Sequence, residues 1–468
     1  MLDEIRRTAR HTFVYGLGTI SYRLVGFFLL PLYTKRIPVA DYGLFGLLEV
    51  SGQVLVGLLS FGLPTALFKW YTLAEDNKAQ HEVVSTVLIA LLGFNLFFLG
   101  SIAVLSLRAA PAILGFFPGS TLSTREFSYL LIAFYMDVLV TLVLRIFLNL
   151  LRAEERSGFY TIISVARFAL VLGLNFWFIA KLGLGILGIY FGQALGSLFV
   201  LVAVLPWVSH LLVLSFRREL LRSMLAYGLP LVFVAVSVLL LNMGNRYLLG
   251  RLATLEEVGQ YSLGQKIGNI LYVILVQPFM TAYFPMIWRV SQGNAEKFFV
   301  RAPNLFLGIG IWGVIAFWLF RWELTRIFAR SASYLAGCEI VGIVSLAAVL
   351  YGAVYVLHTS FYLSGRTSWI TLLYLIGLAV NIGLAFWTIP VWGIRGAAWA
   401  VTAAYGLIAI LSYPLAQRMY RINYELKRLA RLGIVALLVL VIGTKVGQGG
   451  TFSILLRALL VAGFPSLL

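Results

Sequence analysis

Residues 12–34 read TFVYGLGTISYRLVGFFLLPLYT, a run of twenty-three in which Arg23 is the one charge. At 1.5 Å per residue a helix of that length reaches roughly 34 Å, enough to cross the hydrocarbon core of a bilayer. The same pattern recurs from end to end. Of 468 residues, 61% are hydrophobic and 12% charged, about half the charged share of a soluble domain. The charges gather in short breaks between apolar runs. Setting runs against breaks predicts an all-α integral membrane protein of about 14 transmembrane helices, beginning with 12–34 and 43–66 and ending with 369–390, 393–417, 429–446 and 452–468. No connecting segment is long enough to fold as a domain, so a soluble enzyme is excluded and any activity belongs to the bundle and its faces.

Lys and Arg total 36 against 18 Asp and Glu, a net charge of +18. Without a soluble basic domain or zinc module this excess does not point to nucleic acid. It fits membrane topology and anionic lipids instead. With the N-terminus in the cytoplasm, nineteen Lys and Arg fall in cytoplasmic breaks and eleven in the opposite ones, so the positive-inside bias selects that orientation. Met1 to His11 is charged and no small-residue cleavage site follows the first apolar run, so the segment is read as retained. A single cysteine, Cys338, leaves no intramolecular disulfide.

The chain also repeats itself. Tyr15-Gly16-Leu17 returns as Tyr227-Gly228-Leu229, and Ala40-Asp41-Tyr42-Gly43 finds a counterpart in Val258-Gly259-Gln260-Tyr261. Arg156-Ser157-Gly158 matches Arg366-Thr367-Ser368, and Gly185-Ile186-Leu187-Gly188 matches Gly393-Ile394-Arg395-Gly396. Four pairs in one order at one spacing predict an N-lobe over 1–213 (spans 1–6), a C-lobe over 214–425 (spans 7–12) and a C-terminal helix pair over 426–468. Six spans is an even number, so both lobes start on the same side and are expected to be related by a pseudo-twofold axis along the membrane normal, an architecture of transporters.

At this point the residues resemble a known family. Tyr15 to Thr34, followed by Ala40-Asp41-Tyr42-Gly43, with Arg156-Ser157-Gly158 and the doubled Gly-Ile-x-Gly, is similar to the polysaccharide flippases of the multidrug/oligosaccharidyl-lipid/polysaccharide (MOP) exporter superfamily. The resemblance implies a V-shaped pair of lobes that carries a polyprenyl-diphosphate-linked oligosaccharide from the cytoplasmic to the outer leaflet of the plasma membrane by alternating access. Its setting would be O-antigen, lipopolysaccharide or exopolysaccharide assembly, with other polysaccharide assembly proteins as further partners of a monomeric flippase. Arg23 sits where the peptidoglycan-precursor relative has a functional arginine. Tyr22 stands where that relative has serine, and no acid follows shortly after Arg23, which points away from the peptidoglycan precursor as substrate.

Charges inside the expected spans carry the chemistry. A lipid diphosphate brings about two negative charges, which hydrocarbon does not accept unpaired. Guanidinium groups in a wet cleft supply paired hydrogen bonds to its oxygens. Arg23 lies about eleven residues from either end of its span, too deep to snorkel, and either faces a polar cavity or pairs with Asp137. Arg167 is the next deepest cation and stands between the same two roles. Arg145 is five residues from the end of the fourth span, and Arg246 and Lys266 are expected near the ends of spans seven and eight, where interface anchoring competes with headgroup binding. Asp137 and Glu49 are the acids available as charge partners or for ion coupling, and Glu339 lies at similar depth to Glu49. An outward-moving dianion would be driven by an interior-negative potential, by about 2.3 kcal/mol per charge per 100 mV.

Other chemistries lack their residues. His11, His81, His210 and His358 are far apart and have no Cys or Asp at ligand spacing, so no metal is expected. Gly16-Leu-Gly18 and Gly308-Ile-Gly310 lie in apolar helices, and no phosphate-binding loop is present, so no cofactor or ATP is expected. A cation-coupled multidrug exporter is the first alternative, though it calls for several intramembrane carboxylates. A membrane polymerase or ligase is the second, though it calls for a large outer loop. Proline at 31, 64, 230, 278 and 390 marks places where helices bend.

Overall fold

The computed structural model describes residues 26–210, 213, 215–290, 295–445 and 451–464. Most of the first expected span, Arg23 included, lies outside them. The described chain is helical, and it divides after Met243 into two compact units.

The first unit contains α1 (26–36), α2 (Val39–Leu59), α3 (Leu63–Leu73), α4 (Asn77–Arg108), α5 (Ala110–Gly115), α6 (Thr124–Ala153), α7 (Ser157–Lys181, its last turn a π-helix), α8 (Gly185–Ser209) and α9 (Arg218–Met243). Helix starts follow local chemistry. Asp76 caps α4 by accepting from the Ala79 amide at 2.6 Å, and Ser123 and Glu126 close a reciprocal capping box on α6. Expected span 43–66 is broken into α2 and α3 at Phe61 and Gly62, both left-handed, with Pro64 just inside α3. Helix α9, assigned by the repeat to the second lobe, packs on α2, α3 and α4.

The second unit contains α10 (Asn245–Leu252), α11 (Leu255–Gly268), a π-helical stretch Tyr272–Val276 leading into α12 (Gln277–Val290), α13 (Ala295–Leu319), α14 (Arg321–Phe328), α15 (Cys338–Leu357), α16 (Thr359–Leu363), α17 (Ser368–Met419), α18 (Leu426–Lys445) and α19 (Thr451–Gly463). Gly393, at φ 52° and ψ −129°, breaks the 52-residue α17 in two, which recovers the separate spans expected over 369–390 and 393–417. Among the described residues ten helices are long and apolar enough to cross a membrane, counting α17 once. Of the last expected span, 452–468, the described part is α19, 13 residues or about 20 Å, and residues 465–468 lie outside the described residues. Both C-terminal helices pack on α13, where Leu319, Leu432, Val439, Val461 and Phe464 share one core. Arg457, which interrupts that final run, is 2% exposed. Its guanidinium meets Glu323 at 2.7 Å and donates to the Leu319 carbonyl at 2.7 Å, at the negative end of the α13 dipole.

Matched sequence positions make matched contacts within each unit. Asp41 in the first turn of α2 accepts from the Thr121 amide at 3.0 Å and from Ser120 Oγ at 2.9 Å, tying down the loop before α6. In the second unit Gln260 of α11 donates to the Ser333 carbonyl at 2.9 Å in the loop region before α15. Arg156 and Arg366 each follow a left-handed residue, Glu155 and Gly365, and each amide reaches back five residues, to Leu151 and Phe361. Buried Glu82 of α4 holds Arg217, just before α9, at 2.8 Å; Asn304 of α13 holds Glu425, just before α18, at 2.9 Å. At the aligned positions the contact is kept while the residue type changes.

Gly185 and Gly393 both take positive φ, 54° and 52°, where a Cβ strains the backbone. A Cβ on Gly185 would meet nothing within 4 Å, so strain alone acts there. Gly185→Ala is expected to cost about 1–2 kcal/mol and Gly185→Asn less, since Asn tolerates the left-handed region. Thermal unfolding in detergent reads the difference, and equal melting of both variants would remove the backbone argument.

Candidate functional site, a polar stripe on one helix

Helix α6 carries Asp137, Thr141, Arg145 and Asn149 at four-residue intervals, which places them on one face. Asp137, Thr141 and Asn149 are half-buried and Arg145 is exposed. The Asn149 amide donates to the Arg145 carbonyl at 2.8 Å. Elsewhere α6 is apolar and well packed, with Leu130, Phe134, Val138, Leu142, Ile146 and Leu150 buried against its neighbours. A polar stripe on a membrane helix is stable where it faces protein or a wet cavity, not lipid.

Arg167 of α7 meets the buried edge of this stripe. It is 7% exposed, and its Nη2 donates to Thr141 Oγ1 at 3.2 Å while Nε donates to Ser197 Oγ of α8 at 2.9 Å. Gly196, one residue before Ser197, leaves room for Val171 of α7 to lie against the α8 backbone, which brings the hydroxyl within reach. Asp137 is within electrostatic range of Arg167 and Thr141. Its buried Oδ1 nevertheless has no hydrogen-bond partner among the described residues, an uncommon condition for a buried carboxylate oxygen.

The other expected residues lie as follows. Glu49 of α2 is half-buried, and so is Lys266 of α11. Arg246 differs from an interface anchor: it is 1% exposed, and its Nε donates to Gln265 Oε1 at 3.0 Å. The reason is the end of α9 at Met243, after which α10 starts and packs against α11 and α17. Beside it, Asn245 and Asn381 exchange amide hydrogen bonds at 3.1 and 3.0 Å, and Asn245 also reaches the Ala397 carbonyl. Glu339 is also no lone interfacial acid; Arg395 grips it through two contacts of 2.8 Å. The structure thus brings Asp137 and Arg167 together in the first unit, with Arg145 two turns along the same face of α6, and pairs Arg246 with Gln265, the residue before Lys266, in the second. Thr141, Asn149 and Ser197 were missed in the sequence; the four-residue spacing on α6 was the available signal for the first two.

A second feature is aromatic. In the second unit Tyr272, Tyr351, Tyr355 and Tyr362 form a ring cluster, with Tyr272 and Tyr351 6.0 Å and Tyr355 and Tyr362 6.4 Å apart at their centroids. Beside it lies an open cavity of about 350 Å³ lined by Tyr272, Gln277, Met280, Thr281, Phe284 and Tyr355.

This all-α arrangement is the fold of MOP-superfamily transporters. The lipid II flippase MurJ, in an inward closed conformation, shares it with a TM-score of 0.77 at 15% identity, over 97% of this chain and 98% of that one. An inward-facing multidrug resistance MATE family transporter of the MOP superfamily gives a TM-score of 0.68 at 16% identity, over 87% and 94%. The outward-facing conformation of a multidrug resistance MATE family transporter gives 0.61 at 17% identity, over 88% and 95%. No curated protein sequence matches the chain. The family described as polysaccharide biosynthesis protein matches residues 8–291, and the chain belongs to that family.

Removing a buried cation while its carboxylate stays costs about 3–5 kcal/mol. Arg167→Met is expected to destabilise the protein on that scale, and adding Asp137→Asn is expected to restore part of the loss. Thermal unfolding of the two variants in detergent tests it; an unshifted Arg167→Met melt would show that Arg167 does not compensate Asp137.

Proposed function

We propose that this chain flips a polyprenyl-diphosphate-linked oligosaccharide from the cytoplasmic to the outer leaflet of the plasma membrane, for surface polysaccharide of the O-antigen or exopolysaccharide type. Family membership supports polysaccharide biosynthesis, and the MurJ neighbour, itself a lipid II flippase, supports a lipid-linked cargo. The observation that carries the reading is the half-exposed stripe on α6. Asp137, Thr141, Arg145 and Asn149 line one face of a helix whose most apolar eighteen residues have a mean hydropathy of 2.2, and such a face calls for protein partners, water or a polar cargo.

In this reading the exposed Arg145, with Arg23, receives the diphosphate, because a guanidinium must reach phosphate oxygens to bind them, and the half-buried Lys266 adds positive charge in the second unit. Arg167 and Arg246, enclosed by hydroxyl and amide partners, hold their helices and contribute positive potential to the first and second unit respectively. Asp137 and Glu49 are the acids through which an ion gradient would act. The N-terminus is cytoplasmic, and the chain acts as a monomer on a cargo embedded in membrane lipids.

A cation-coupled small-molecule exporter is the second reading. It draws on the MATE neighbours and on the unpartnered Oδ1 of Asp137.

Losing one charge-assisted hydrogen bond costs about 1.5–3 kcal/mol, so Arg145→Ala is expected to slow flipping of lipid-linked oligosaccharide in proteoliposomes by roughly tenfold or more, with Arg145→Lys retaining most of the rate. Arg23→Ala is expected to remove surface polysaccharide from cells at unchanged protein level. Unimpaired polysaccharide in both variants, together with sodium- or proton-driven efflux of a cationic dye, would replace the flippase by the exporter.

A further inference from the structure

The cavity in the second unit has a chemistry different from that of the α6 stripe. Among the described residues that line it none is charged, so they offer a diphosphate no cation and a metal no carboxylate. Two tyrosine rings and one phenylalanine ring supply flat apolar faces. Gln277 and Thr281 supply polar groups from successive turns of α12, and the tyrosines carry hydroxyls on their rims. Thr281 donates to the Gln277 carbonyl at 2.9 Å, which fixes its hydroxyl and leaves its oxygen able to accept.

The wall is built, not incidental. Pro278 has no N–H for the carbonyl four residues back, and the preceding turn is π-helical from Tyr272 to Val276. Such turns re-aim side chains and recur at functional sites. Tyr272 lies on that turn and meets Tyr351 of α15. Tyr355, one turn further along α15, meets both Phe284 and Tyr362, at 6.5 and 6.4 Å.

We infer that this cavity is a carbohydrate subsite that holds a neutral sugar ring of the cargo, stacked on Tyr355 and Tyr272 and hydrogen-bonded by Gln277 and Thr281. A pyranose presents one apolar C–H face and a rim of hydroxyls, the same division that the wall presents. An isoprenoid chain would fill the space but offer no hydrogen-bonding group to the polar side of the wall, as a sugar does. The volume, about 350 Å³, is at the small end for small-molecule sites, so the subsite takes part of a glycan and not a whole repeat unit. This inference rests on the flippase reading.

The test measures binding of two probes to the purified full-length chain in nanodiscs: lipid-linked oligosaccharide extracted from cells that express it, and the bare polyprenyl diphosphate. Loss of one aromatic contact worth about 1.4 kcal/mol is tenfold in affinity. Tyr355→Ala is expected to weaken the glycan-bearing lipid roughly tenfold while leaving the bare lipid within about twofold, and Tyr355→Phe is expected to bind like the parent. Gln277→Ala, at a half-exposed position, is expected to show the same selectivity in a variant with no core side chain removed. Equal weakening of both probes would assign the cavity to the lipid chain, and unchanged binding of both would empty it of any role; either result overturns the subsite and leaves the flippase standing. A parent protein that binds neither probe would overturn the flippase reading and the subsite with it.

Discussion

Water is absent from the bilayer core, so each polar atom that this chain places there must find its partner in the chain or in a wet cavity. The described structure obeys that constraint almost everywhere. Arg246 is answered by Gln265, Arg457 by Glu323 and the end of α13, and Asn245 by Asn381 and a backbone carbonyl. Tyr33 donates to Asn175, a residue whose amide in turn reaches the Val171 carbonyl. In the α6 stripe Arg145 is exposed, and Asp137 Oδ1 is one of several buried side-chain atoms with no hydrogen-bond partner among the described residues.

The duplication shows how the two units diverged under the same constraint. Tyr33 with Asn175 in the first unit answers to Asn245 with Asn381 in the second, and Glu82 with Arg217 answers to Asn304 with Glu425. The contacts persist because they hold the same helices, whereas the residue types are free to change if donor still meets acceptor. What does not persist is the charge: positions 137, 145 and 167 have no charged counterpart near the repeat offset, where the second unit carries its tyrosines.

Much of this was legible in the sequence because its causes are local. Apolar run length predicts a membrane helix, Ser123 with Glu126 announces a helix start, and the paired Gly185 and Gly393 mark turns that only a residue tolerant of positive φ accommodates. Asp137, Arg145 and Arg167 were legible one by one as charges in apolar runs. Their meeting was not, because Ser197 lies thirty residues from Arg167 and Glu323 lies 134 from Arg457, separations on which hydrophobic pattern is silent. The enclosure of Arg246 follows from a helix ending at Met243, and an unbroken apolar run conceals such an ending. The tyrosine cluster draws on α15, α16 and the π-helical turn before Pro278, and composition alone could not separate it from an interfacial belt.

The division of chemistry between the units bears on the cargo itself. A polyprenyl-diphosphate-linked oligosaccharide joins a dianion to a neutral, hydroxyl-rich glycan, and no single lining serves both. Cations strong enough to hold the phosphates are indifferent to sugar identity, whereas tyrosine faces with an amide and a hydroxyl discriminate between rings and contribute nothing to a phosphate. A cationic drug needs the opposite of the first lining, carboxylates without competing guanidinium groups. In the first unit Arg167 lies within electrostatic range of Asp137, so a cation approaching that carboxylate meets a guanidinium already beside it. Under the proposed reading, that guanidinium favours an anionic lipid-linked cargo over a cationic one.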